Sequence, residues 1–99
     1  MALSGGRPVG YLLGVYVFSL ENRGMTAEID ELFVEEPHRR AGAGGRLLRA
    51  AEAAFRRAGC RGASLQLGRG NRAARAFYRR HGYRERTKYE LLDRPLPRR

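Results

Sequence analysis

The stretch "ELFVEEPHRRAGAGGRLLRAAEAAFRRAG", residues 31–59, runs from an apolar strand-like segment through an arginine- and glycine-rich loop into an amphipathic helix. Leu47, Leu48, Ala51, Ala54, Phe55 and Ala58 recur at three-to-four-residue spacing, and Arg46, Arg49, Glu52, Arg56 and Arg57 line the other side. Such a helix must bury its apolar stripe against a second layer. Gly42, Gly44 and Gly45 stand where it begins, and Gly59 offers a left-handed stop where it ends. Helix N-termini expose unpaired N–H groups and a partial positive charge, and glycine lets an anion approach the backbone. The chain therefore has to contain a strand–loop–helix unit whose turn suits a phosphate.

The flanking segments supply the second layer. Residues 8–19, "PVGYLLGVYVFS", predict a strand, followed by a turn at Asn22–Gly24 and a second strand, residues 25–34, pairing antiparallel with the first. Strict alternation along the second strand puts Glu28, Asp30, Leu32 and Val34 on one face and Ile29, Glu31 and Phe33 on the other. "GASLQLG" reads as a short central strand, and "NRAARAFYRRHG" as a second helix with Asn71 as N-cap. Ala74, Phe77, Tyr78 and His81 form that helix's inner face, and Gly82 stops it. "YRERTKYELL" alternates well enough to predict a last strand, and the basic tail, residues 92–99, is expected to be loose. The expectation is an α/β (α+β) architecture in one domain over residues 1–99, with a core at 8–91 and a mixed, mainly antiparallel sheet flanked by helices.

With 99 residues the chain is short for a stable core of its own. No apolar run approaches the roughly 20 residues needed to span a bilayer, so no membrane association is expected. A single cysteine, Cys60, fits a packing role in a reducing cytoplasm. The two histidines, His38 and His81, have no metal-ligand spacing, so no metal is expected. The net charge of +10 is unevenly placed: six of the ten acids fall between residues 21 and 36, and residues 37–99 hold eighteen of the twenty Arg and Lys. That field attracts a polyanion, either nucleic acid or a phosphorylated cofactor. Nucleic-acid binding rests on charge alone, because the aromatics form no stacking platform.

Three phosphate loops can be weighed against the glycines. A nucleotide-triphosphate loop needs a Lys-Ser/Thr pair that the chain lacks. A dinucleotide fingerprint needs a third glycine where Leu47 stands, and a tighter turn. The segment Arg39-Arg40-Ala41-Gly42-Ala43-Gly44 instead resembles the [QR]-x-x-G-x-[GA] loop of the GCN5-related N-acetyltransferase (GNAT) family. Downstream, "NRAARAFYRRHGY" is similar to that family's Asn…Ala…Phe-Tyr…Gly-Tyr/Phe signature.

The resemblance implies an N-acetyltransferase of the GNAT fold that uses acetyl-coenzyme A as cosubstrate. Leu32, Phe33 and Val34 would offer backbone groups to the pantetheine arm. The amides of Arg40, Ala41, Gly42, Ala43, Gly44 and Gly45 would cradle the pyrophosphate, with Arg39 in the position where the family keeps Gln or Arg. Asn71 would bond near the pantetheine, although an N-cap role explains it equally well. Tyr78 matches the tyrosine that commonly stands beside the cofactor sulfur, where a phenol of pKa near 10 can protonate a departing thiolate of pKa about 8 to 9. An acid on the strand before the loop, in the order Asp30, Glu31, Glu28, would take the proton of the attacking amine. Some relatives place a glutamate on the next strand, where this chain has Gln66. Family members usually begin with a further strand and two helices, so the chain reads as N-terminally abbreviated. The acidic stretch suits a cationic amine, and a homodimer would cover the apolar sheet surface. The alternative is an acetyl-coenzyme A-binding subunit that needs a partner to complete its acceptor site.

Overall fold

The computed structural model describes residues 2–4, 7–19, 24–87 and 90–97. Two compact units emerge, Met1–Gly68 and Arg69–Arg99.

The first unit is built on β2 (Arg7–Ser19) and β3 (Gly24–Val34), a long antiparallel pair whose register runs from Gly10↔Val34 to Ser19↔Gly24. A short β1 (Ala2–Ser4), which the apolar patterning does not announce, adds antiparallel to β2. The predicted turn lies at Asn22 and Arg23, outside the described residues, while Gly24 opens β3. A 3-10 turn (Glu36–Ala41) and helix α1 (Ala43–Arg57) follow, and β4 (Ala63–Leu65) returns parallel to β3. The sheet order is β1-β2-β3-β4, so it is mixed and mainly antiparallel as expected. A parallel return needs a crossover, and α1 supplies it.

The strand faces depart from strict alternation. The register shifts between Leu13 and Gly14, which pair with Glu31 and Ile29, leaving Asp30 as the extra residue of a bulge in β3. Ala27, Ile29 and Val34 are all buried and Leu32 is half-buried, so these four share the α1 side of the sheet. Glu28 pairs with Val15 and Phe33 with Tyr11, which places Glu28, Glu31 and Phe33 on the opposite side. The predicted grouping of Glu28 with Leu32 and Val34 is therefore corrected. A bulge shifts parity by one residue, letting apolar residues at odd and even positions reach one core.

That core is small and sits at the turn into α1. Val34, Ala43 and Leu47 form a buried cluster with Leu32 against it, and Leu48 is fully buried. Farther along, Phe55 meets Tyr16 edge to face, with ring centroids 6.0 Å apart. Gly14 makes room for that ring, since a Cβ there would lie 3.1 Å from Phe55 Cζ. Helix α1 ends as expected at Gly59, with φ of 89°. The Cys60 amide bonds to Phe55 O and the Gly59 amide to Arg56 O, a Schellman closure.

The second unit holds helix α2 (Arg72–Arg80). Asn71 caps it by accepting from the Ala74 amide at 3.2 Å. Gly82, with φ of 91°, and the Tyr83 amide on Tyr78 O close its other end in the same way. The last strand, expected over residues 83–92, is not formed in the described residues 83–87 and 90–92; Lys88 and Tyr89 lie outside them. Alternation alone does not make a strand without a ladder partner, and Glu85 is drawn to the helix by Arg75 and Arg79.

Candidate active site

The C-terminal half of β3 reaches the site with one edge open. Pairing with β4 is confined to Ala27, Ile29 and Glu28 between them, whereas pairing with β2 continues to Val34. From Asp30 to Val34 the strand thus has backbone groups on its β4 side with no ladder partner in the described sheet. An extended ligand with amide groups can pair with such an edge as another strand would. Leu32, Phe33 and Val34 all lie on this segment, held from the other side by β2. Gly10, opposite Val34, keeps the two strands close, because a Cβ there would come within 2.6 Å of the Phe33 carbonyl oxygen.

The open edge leads straight into the glycine turn. Pro37 sits in the first turn of the 3-10 segment, and the His38 amide bonds back to Glu35 O at 2.9 Å. Arg39 Nε donates to the Val34 carbonyl at 2.9 Å, clamping the turn onto the strand end. Gly42 is both the last cap of the 3-10 turn and the first cap of α1, with φ of 82° and ψ of 8°. This left-handed conformation is open to glycine at little cost. Arg40 and Ala41 belong to the 3-10 turn that delivers Gly42.

Helix α1 starts without a side-chain cap and without an acid in its first turn. Its first intrahelical bond found at the turn is from the Arg46 amide to Gly42 O, at 3.1 Å. The amides of Ala43, Gly44 and Gly45 come before it and belong to the donors a helix start leaves for a ligand. Ala43 and Gly44 are buried, and Ala43 shares a cluster with Val34 that pins this end of the helix to the end of β3. Amide donors, a favourable helix dipole and a first turn of α1 without an acid are what suits an anion such as a pyrophosphate.

The three acids of β3 are not equivalent. Asp30 is the exposed bulge residue, Glu28 is half-buried, and Glu31 is exposed. The Tyr11 hydroxyl donates to Glu31 Oε1 at 2.5 Å, and the Tyr11 ring leans on Phe33 with centroids 5.5 Å apart. The hydrogen bond to Glu31 holds the Tyr11 phenol above its ordinary value, with desolvation and the carboxylate charge adding to it. Tyr11 is absent from the sequence-based set of site residues. Only the register and the position of the bulge bring it diagonally to Glu31, and neither is written in the local pattern.

In the second unit, Tyr78 is buried among aromatic neighbours on its own segment. Its ring meets Phe77 at 5.1 Å and Tyr83 at 5.4 Å, both edge to face. Burial pushes its phenol above the ordinary tyrosine value, so it holds its proton at neutral pH. Asn71 spends its side-chain oxygen on the helix cap. His81 packs on Phe77 with centroids 4.7 Å apart, and His38 is half-buried in the turn. Among the described residues no group of His, Cys, Asp and Glu could hold a metal ion. Nor is any described helix long and apolar enough to cross a membrane.

The fold is a mixed α/β sheet in which an open strand edge leads into an uncapped, glycine-lined helix start. The chain belongs to the GNAT acetyltransferase family, whose model matches residues 1–83. Among solved structures it is similar to the aminoglycoside 6'-N-acetyltransferase AAC(6')-IG of Acinetobacter haemolyticus, at 20% identity and a TM-score of 0.78, covering 97% of this chain and 68% of that one. It is similar to the ribosomal-protein-alanine N-acetyltransferase of Brucella melitensis biovar Abortus 2308, at 15% identity and a TM-score of 0.79, covering 93% of this chain and 67% of that one. An integron cassette protein from the mobile metagenome of V. cholerae matches at 17% identity and a TM-score of 0.85, covering 94% of this chain and 57% of that one. These likenesses establish the fold, and the chain spans about two thirds or less of the three proteins' lengths. No curated protein sequence matches it.

Proposed function

We propose that the chain is an N-acetyltransferase that moves the acetyl group of acetyl-coenzyme A to a primary amine by direct attack. The observation that carries this reading is the open Asp30–Val34 edge running into the uncapped start of α1. The edge suits the amides of a pantetheine arm, and the helix start suits a pyrophosphate. The residues present therefore fit the cosubstrate. Leu32, Phe33 and Val34 would hold its arm, and the turn from Arg40 to Gly45 its phosphates. Arg39 acts on that turn through its bond to Val34 O, keeping the strand end and the helix start in register. When bound, acetyl-coenzyme A supplies a thioester carbonyl for the amine and a thiolate as leaving group.

The chain's own residues handle the protons. An alkylamine is protonated at neutral pH, so an acid on β3, from Asp30, Glu31 and Glu28, must take that proton. Tyr78, kept protonated by its burial, suits the donor that neutralises the thiolate. The carboxylates on and beside the open face would attract a cationic acceptor, and the two similar transferases are named for N-acetylation of an aminoglycoside antibiotic and of a ribosomal-protein alanine. A single half-buried cysteine and a phosphorylated cosubstrate support a cytoplasmic site of action.

Thiol release tests the reading. With acetyl-coenzyme A and a panel of polyamines, aminoglycosides and lysine peptides, at least one amine is expected to raise release well above the hydrolytic background. Saturable cosubstrate binding with no release on any amine would favour the second reading, a cofactor-binding subunit that lacks a complete acceptor site.

A further inference from the structure

The sheet face turned away from α1 carries a side-chain to side-chain contact that the cofactor-holding residues do not account for. The register sets Tyr11 opposite Phe33 and Leu13 opposite Glu31, so Tyr11 and Glu31 are diagonal neighbours across β2 and β3. Diagonal positions are within reach of long side chains, and the Tyr11 hydroxyl spans the gap to Glu31 Oε1 at 2.5 Å. That is the short range of a hydroxyl bound to an ionised carboxylate. Phe33 braces the Tyr11 ring from the side. The bulge is essential here: without Asp30 as the extra residue, Glu31 would point into the α1 side with Ile29. Glu28 shares the face and Asp30 sits at the bulge, yet neither carboxylate has a side-chain partner among the described residues.

We infer that Tyr11 is a positioning residue that selects Glu31, among the three acids of β3, as the group that takes the proton from the acceptor amine. The inference rests on the acetyltransferase reading above. An exposed glutamate on a strand samples many rotamers, and a base is useful only when it meets the N–H it must remove. Tyr11 restricts one oxygen, Oε1, and leaves Oε2 as the acceptor. The ammonium gives one proton to Oε2, its nitrogen recovers the lone pair, and that pair forms the new C–N bond at the thioester carbonyl while the C–S bond breaks toward sulfur. The second proton that the nitrogen sheds on becoming an amide balances the one the thiolate takes up, so the products are a neutral amide and a free thiol. Tyr11 keeps its own proton throughout, in line with a phenol that Glu31 makes harder to ionise.

The test compares wild type, Tyr11→Phe, Glu31→Gln and the double variant as full chains, with melting curves to show that each is folded. Tyr11→Phe is expected to lower kcat with an alkylamine roughly ten- to a hundredfold, while acetyl-coenzyme A affinity is unchanged. The loss should shrink with an acceptor amine that is already neutral at the assay pH, because that amine has no proton to give up before attack. In the Glu31→Gln background, Tyr11→Phe should cost nothing further, since the group it positions is gone. A titration of tyrosinate absorbance should also show one tyrosine ionising at lower pH in Glu31→Gln than in wild type. Equal losses on both amines, or additive losses in the double variant, overturn the positioning role in an enzyme that still turns over. No turnover by wild type on any amine overturns the acetyltransferase reading itself, and the catalytic use of the pair with it.

Discussion

Gly42 and Tyr78 show how single residues divide the work. Gly42 has φ of 82°, a conformation that costs a residue with a Cβ about 1–2 kcal/mol, and it aims the start of α1 at the end of β3. The sequence marked it as a glycine that lets an anion approach the helix start, and the left-handed conformation is what the structure adds. Tyr78 was legible as part of the inner face of a short helix and, through the family resemblance, as a candidate proton donor, whereas its burial among Phe77 and Tyr83 comes from the structure. Desolvation disfavours the phenolate, so the folded chain keeps the proton to a pH above the ordinary tyrosine value of about 10. Tyr78→Phe is therefore expected to lower kcat roughly a hundredfold or more, leaving acetyl-coenzyme A affinity unchanged. In wild type the alkaline fall in rate that this group controls should begin above about pH 10, and kinetics over a pH series checks both points.

At the scale of elements, the sequence announced the helices better than the strands. Helix α1 repeats its apolar residues across four turns and is bracketed by Gly42 and Gly59, so its bounds and inner face follow from local physics. Helix α2 is short, but Asn71 and Gly82 mark its ends and both act as caps. In β3 the local pattern misled, because one unpaired residue, Asp30, reverses the facing of everything after it. A bulge depends on how two strands match over distance, which no window of a few residues reveals. The strand expected at 83–92 is not formed in its described residues for a related reason: the alternation is real, but Glu85 has its partners on α2. The packing of α1 makes a direct prediction. Leu48 is fully buried, so Leu48→Ala should destabilise the fold by about 2–5 kcal/mol, lowering the melting temperature in calorimetric or circular dichroism scans.

For the whole molecule, the same sheet that holds the site leaves apolar surface open. Beyond the Tyr11–Glu31 pair, Leu13, Val15 and Val17 lie on the face away from α1, with relative exposures of 52%, 50% and 39%. Apolar surface of this extent favours association, and the proposal of a homodimer follows from it. Sedimentation is expected to give twice the monomer mass, with Val15→Lys shifting the population toward the monomer. The positive field of residues 37–99 has a use in this account, since it draws a polyanionic cosubstrate to the helix start of α1. The proposed cosubstrate site is this glycine turn and the strand edge before it, which would hold acetyl-coenzyme A. Calorimetric titration of acetyl-coenzyme A into wild type and Gly42→Ala tests it most directly. Wild type is expected to bind saturably at one to one, and folded Gly42→Ala roughly tenfold more weakly, in keeping with about 1–2 kcal/mol of strain at the turn. Equal affinity in the two proteins, or no binding to wild type, would contradict it.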